Sequence, residues 1–176
     1  MKFNLDPSEA EKIARDIKLL LLDVDGVLTD GKLYYSNSGE EMKAFSTLDG
    51  HGIKMLMKNG VQVGIITGRS SDLLARRASE LGIEILYQGQ SDKVAALQDA
   101  LKRIDSSADC VAMVGDDFPD LPVMRLVGLG VAVANAHPDV ATRAEVLTER
   151  SGGTGAVREA TDFILQAQGK YLAYLE

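Results

Sequence analysis

Residues 19 to 22 are four consecutive leucines, inside a largely apolar run from Ile17 to Val24 that only Lys18 and Asp23 interrupt. A strand with one wet face alternates apolar and polar residues. This one does not, so both of its faces must be covered. Strands of that kind belong to parallel sheets flanked by helices. The same pattern recurs along the chain. Apolar runs at Val61–Ile66, Ile83–Tyr87, Cys110–Val114 and Leu129–Ala134 each follow a segment with helical spacing: about Gly52–Lys58, Asp72–Leu81, Asp92–Ile104 and about Asp120–Val127. Asp6 followed by Pro7 marks the start of a first helix, reaching about Asp16. Val140–Ala144 reads as a short helix, Glu145–Leu147 as a last short strand, and Ala156–Gln168 as an amphipathic helix. The fold class is α/β, a doubly wound, mostly parallel sheet of Rossmann-like type, and residues 1–176 read as one domain. One stretch breaks the alternation. Two short strand-like runs around Asn37-Ser38-Gly39 predict a β-hairpin over about 32–46.

In open sheets of this class, ligands bind outside the carboxyl ends of the strands. Those ends carry Asp23, Asp25 and Gly26; then Thr67-Gly68-Arg69-Ser70-Ser71; then the loop ending at Lys93; then Gly115-Asp116-Asp117-Phe118-Pro119-Asp120. Residues i and i+2 of a strand share a face, so Asp23 and Asp25 both point into the crevice. Buried carboxylates are costly unless paired or bound to a metal. With Asp116 they form an oxygen set suited to Mg²⁺. A carboxylate can also attack phosphorus. Thr67 and the N–H groups of Gly68 and Arg69 can hold phosphoryl oxygens. Lys93 supplies a point charge, although the first turn of a helix is an unfavourable place for a cation.

Bulk properties narrow the partners. The net charge is −7 and the longest basic cluster is Arg76-Arg77, so nucleic acid is not expected. No apolar run approaches the roughly 20 residues of a membrane helix, and the N-terminal stretch lacks a signal-peptide core. A single cysteine, Cys110, excludes an internal disulfide and reads as a core residue of its strand. These features predict a cytoplasmic protein. With only His51 and His137, no histidine metal site or Ser-His-Asp triad is supported. His137, before Pro138, reads as a loop or cap residue.

Four motifs, "DVDGVLTDG", "IITGRSS", the lysine of "GQSDK" and "VGDDFPDLPVM", occur in this order, each after an apolar strand. Together they resemble the haloacid dehalogenase superfamily. The resemblance implies Asp23 as nucleophile and Asp25 as the acid/base. It implies Mg²⁺ held by Asp23, Asp116 and the backbone carbonyl of Asp25, and a phosphoryl group held by Thr67 and Lys93. Asp120 or Asp117 would orient Lys93 or a metal-bound water; the sequence does not separate the two. The hairpin is the only insertion between Asp25 and Thr67, so no separate cap domain is expected.

Among small members, the chain resembles the 3-deoxy-D-manno-octulosonate 8-phosphate phosphatases over nearly its full length. That resemblance includes "GEEMKAF", "DGHGI", "LYQGQSDK", "VGLGVAVANAHP" and the tail "GGTGAVREATDFILQAQG" within about 151–176. It implies a sugar-acid phosphate substrate of lipopolysaccharide synthesis. It implies substrate contacts from Asp25, Ser46, Thr47, Leu48, Asp49, Gly50, Lys54, Gly68, Arg69, Arg77 and Lys93. It also implies a homotetramer in which hairpins meet at the centre and a neighbour helps to roof the site. Leu48 and His51 depart from the basic and aromatic residues associated with the family. They leave open a nine-carbon, sialic-acid-type 9-phosphate. A phospho-receiver signalling domain shares the acidic residues, the Thr and the Lys, but has no use for Asp25. Read alone, residues 152–155 could be a flexible linker.

Overall fold

The computed structural model describes residues 1–38 and 41–176; the expected turn glycine, Gly39, lies outside them. The elements run β1 (Lys2–Phe3), α1 (Pro7–Arg15), β2 (Leu19–Leu22), β3 (Tyr34–Tyr35), β4 (Glu41–Met42), α2 (Thr47–Lys58), β5 (Gln62–Ile66) and α3 (Asp72–Leu81). They continue β6 (Ile85–Tyr87), α4 (Lys93–Ile104), β7 (Val111–Gly115), α5 (Leu121–Met124), β8 (Leu129–Ala132), α6 (Pro138–Ala141), β9 (Val146–Leu147) and α7 (Ala156–Ala167). The main sheet has the order β1-β9-β8-β7-β2-β5-β6, parallel except where β1 meets β9. From β2 the chain winds outward through β5 to β6. It then returns to β7 on the other side of β2 and winds outward again. The reversal leaves a crevice at the carboxyl end of β2.

The leucine run is explained by its position. Leu20 and Leu22 face a layer formed by α1, α2, α3 and α7, while Leu19 and Leu21 face α4, α5 and α6. All four are fully buried, each contributing about 1.5–3 kcal/mol of transfer free energy. Its neighbours pair in register on both sides, Leu22 with Ile65 of β5 and with Val114 of β7.

Two local readings need correction, and a third element was not read from the sequence at all. First, α2 begins at Thr47, not near Gly52, with Ser46 as N-cap. Gly50 and Gly52 resemble helix breakers in sequence, but both are packing positions. A Cβ at Gly52 would lie 2.8 Å from the Arg158 side chain, and one at Gly50 would strike the Arg77 guanidinium. Second, Cys110 is half-buried in a 3₁₀ turn, Ala108–Cys110, and β7 starts one residue later. Third, β1 carries no periodic signal because it is two residues long; Phe3 is held by pairing with Val146 and by the Phe163 ring, centroids 5.7 Å apart.

The hairpin β3–β4 stands apart from the main sheet, with Tyr34 opposite Met42. Among the described residues no helix is long and apolar enough to cross a membrane.

Candidate active site

Asp23 directly follows β2, its N–H bonded to the carbonyl of Val114 at 3.0 Å. The chain then turns sharply. The carbonyl of Val24 accepts from Val27, Leu28 and Thr29, and Gly26 takes φ +100°, where a side chain would be strained. A Cβ there would also collide with the Asp116 carboxylate, so the first and fourth motifs are packed in contact. The tail closes on the same turn. Asn135 donates to the Gly26 carbonyl at 3.0 Å and accepts from Gly152 N–H at 2.7 Å, while Gly153 N–H reaches Val27 O at 3.0 Å. Residues 152–155 are therefore a docked strap, not a linker.

Lys93 opens α4. Asp92, as N-cap, accepts from Val94 and Ala95 N–H at 3.0 and 3.1 Å, which offsets placing a cation at a positive helix end. The buried ammonium of Lys93 lies 2.6 Å from Asp23 Oδ1 and 2.6 Å from Asp120 Oδ1. Asp120, 1% exposed, uses its other oxygen to accept from the N–H groups of Asp116 and Asp117 at 3.0 and 3.3 Å. Asp117 is exposed and accepts from Phe118 N–H at 2.8 Å. Geometry thus separates the two: Asp120 reaches Lys93, and Asp117 caps the 3₁₀ turn Phe118–Asp120.

Electrostatics follow from this crowding. Burial first, and the Asp120 charge second, push Asp23 up to about 6 despite Lys93. Burial and the charges of Asp23, Asp120 and Asp117 push Asp116 up to about 7. Burial alone would lower Lys93, but its two carboxylate partners outweigh that and raise it. One oxygen each of Asp23, Asp116 and Asp120 lie within 4.8 Å of one another. Three acidic groups facing one lysine leave a charge surplus that a hard divalent cation would neutralise. Both oxygens of Asp120 are already engaged, so Asp23 and Asp116 are the carboxylates the cluster offers to such an ion.

Thr67 is buried at the end of β5, its Oγ1 accepting from Arg69 N–H at 3.3 Å. Asp25 turns its carboxylate elsewhere: Lys43 Nζ is 2.5 Å from Oδ1, and Arg69 Nε is 3.6 Å from Oδ2. The crevice, about 350 Å³, gathers Asp23, Asp25, Thr67, Gly68, Arg69 and Lys93, together with Asp116, Asp117 and Asp120. Gln90, Ser91 and Pro119 also line it and carry no signal in the sequence beyond their neighbourhood. The other expected substrate contacts do not reach it. Ser46 caps α2, and Gly50 is pressed against Arg77, which lies 5.9 Å from the centre of the Phe45 ring. Thr47 and Lys54 are exposed on α2. Leu48 lies by Arg150 and Arg158, outside the crevice. Asp49 is 1% exposed and accepts from Arg158 N–H at 2.7 Å. It caps α7 from a neighbouring helix, since α7 has only Gly155 at its own N-cap.

Known proteins share this architecture. Residues 79–159 match the family model described as haloacid dehalogenase-like hydrolase. The 3-deoxy-D-manno-octulosonate 8-phosphate phosphatase of Escherichia coli strain K12 is 51% identical over 166 residues, 93% of this chain and 88% of that protein. The Moraxella catarrhalis 3-deoxy-D-manno-octulosonate 8-phosphate phosphatase was solved in complex with a magnesium ion, a phosphate ion and a KDO molecule. It superposes with a TM-score of 0.94 at 41% identity, covering 97% of this chain and 98% of that one. A cobalt-bound phosphatase of the same kind from Haemophilus influenzae gives 0.89 at 41% identity, covering 93% and 99%. The chain belongs to the haloacid dehalogenase-like hydrolases, within the family of the 3-deoxy-D-manno-octulosonate 8-phosphate phosphatases.

Proposed function

We propose that the protein is a Mg²⁺-dependent phosphatase that hydrolyses 3-deoxy-D-manno-octulosonate 8-phosphate to the free sugar acid and phosphate. The observation that carries the reading is Asp23, buried at the end of the central strand with Lys93 2.6 Å away and Asp116 beside it. One oxygen of Asp23 attacks phosphorus and the bond from phosphorus to the sugar oxygen breaks. Asp25 gives its proton to that oxygen. It then takes a proton from a water that attacks the aspartyl-phosphate, and Asp23 is regenerated as phosphate leaves. Asp23, Asp116 and the backbone carbonyl of Asp25 would hold Mg²⁺. When bound, the ion offsets the repulsion between Asp23 and the anionic phosphate. Thr67, the N–H groups of Gly68 and Arg69, and Lys93 hold the phosphoryl oxygens, and Asp120 fixes Lys93.

Asp49 and Gly50 are buried; the remaining expected contacts, Ser46, Thr47, Leu48, Lys54 and Arg77, would act only where a neighbouring subunit brings them to a crevice. A homotetramer meets that need, and the exposed Leu33, Tyr34, Tyr35 and Met42 of the hairpin support one. A cytoplasmic location fits the lone cysteine.

The test is phosphate release with Mg²⁺ from the eight-carbon substrate and from a nine-carbon sialic-acid-type 9-phosphate, with Asp23→Asn as blank. Preference for the eight-carbon substrate is expected. No release from either by folded wild-type protein overturns the reading.

A further inference from the structure

The hairpin carries a buried lysine side chain beside the crevice that the proposed mechanism does not use. Lys43 has a side chain 3% exposed and its ammonium 2.5 Å from Asp25 Oδ1. On the other arm, the Tyr35 hydroxyl accepts from the Arg69 guanidinium at 3.0 Å, and Arg69 Nε lies 3.6 Å from Asp25 Oδ2. Both arms of the hairpin therefore converge on a single carboxylate.

The two cations differ in strength. Lys43 is shielded from water and, of the two Asp25 oxygens, donates a hydrogen bond to Oδ1 alone, which leaves Oδ2 to carry the proton, whereas Arg69 is half-exposed and farther away. The terminal torsion of an aspartate is broad, so its carboxyl plane is set by its partners. Asp23 and Asp120 are fixed by Lys93. Asp25 is fixed from the hairpin. A proton donor works only within about 2.6–3.2 Å of the oxygen it serves, so a carboxyl free to turn loses transfer efficiency.

From this we infer that Lys43 is a positioning residue, which aims the Asp25 carboxyl at the leaving oxygen. The inference rests on Asp25 being the proton donor. It gives the hairpin a chemical role in addition to any contact between subunits.

The experiment measures kcat/KM, which covers the steps through departure of the leaving group. The substrates are aryl phosphates graded from 4-nitrophenyl to phenyl, hydrolysed by the Mg²⁺-loaded protein. Proton donation matters least for the nitrophenyl ester and most for the phenyl ester. Lys43→Met should lower kcat/KM on phenyl phosphate about 10-fold or more and on nitrophenyl phosphate about 2-fold, a part of the 10²–10⁴ that acid–base catalysis supplies. Lys43→Arg, which keeps the charge, should restore most of the loss. In an Asp25→Asn background, Lys43→Met should add less than about 2-fold, because its effect passes through Asp25. Equal losses across the series, or the same factor in both backgrounds, overturn the inference and leave Lys43 as a strap for the hairpin. The sugar phosphate is assayed beside the series. Wild-type protein that cleaves aryl esters and ignores the sugar overturns the proposed substrate, not the role of Lys43.

Discussion

Asp23 and Asp25 are two positions apart and line the same crevice, yet they answer to different cations. Lys93 takes the first and Lys43 the second. The sequence places both acids at a strand end by period alone, and it places Lys93 by motif. It does not reveal Lys43, because a lysine in a short polar hairpin looks solvated until the hairpin folds back. Nor does it separate Asp117 from Asp120, since only the turn between them decides which one is buried. Two predictions belong at this scale. Asp23→Asn should abolish turnover with circular dichroism unchanged; retained activity would overturn its assignment as nucleophile. The second concerns pH. Asp23 and Asp116 titrate at about 6 and about 7 in the fold, above the 3.8 of an unfolded aspartate. The fold then binds protons that the unfolded chain has lost. Without metal, the stability these groups confer below about pH 4 is lost as pH rises through 6 to 7. A divalent cation competes with the same protons, so Mg²⁺ should raise Tm more at pH 8 than at pH 5. Equal shifts at both pH values would mean that the ion binds elsewhere.

Elements were legible where their pattern was long. The helix over Asp72–Leu81 has the bounds its spacing predicts, and the leucine strand lies at the centre of the sheet as an unbroken apolar run requires. The start of α2 was not legible. Glycine lowers helix propensity, and nothing local says that Gly50 and Gly52 are present because α3 and α7 press against them. The same blindness applies to Asp49. In sequence it belongs to a segment with candidate substrate contacts; in the fold its buried carboxylate serves the N-terminus of α7. Asp49→Ala should therefore cost about 1–3 kcal/mol of stability, the scale for leaving buried donors unpaired. Urea unfolding measures that loss, and KM should stay within about 2-fold, below the roughly 10-fold that 1.4 kcal/mol of lost binding would produce. A large rise in KM with unchanged stability would return Asp49 to the substrate.

For the whole molecule, the order of strands decides where chemistry can happen. Winding reverses at β2, so the loops after β2, β5, β6 and β7 rim one crevice, and acidic side chains from the ends of β2 and β7 meet there. Among the described residues no cap domain covers it. The hairpin that leans on Asp25 also leaves Tyr35 61% and Met42 62% exposed, an apolar surface out of keeping with a solvated flap. One structure can serve both ends if copies of the hairpin pack together. Their mutual burial would hold each Lys43 against its own Asp25, so that assembly and proton donation depend on the same contact. Met42→Glu together with Leu33→Glu should then dissociate the assembly in light scattering. It should also reduce kcat/KM most on substrates whose leaving group needs a proton, as Lys43→Met does. Restoring that loss at high protein concentration would tie it to association. Wild-type protein that scatters as a monomer at micromolar concentration would instead leave the hairpin as a single-chain strap, with its apolar face turned to another partner.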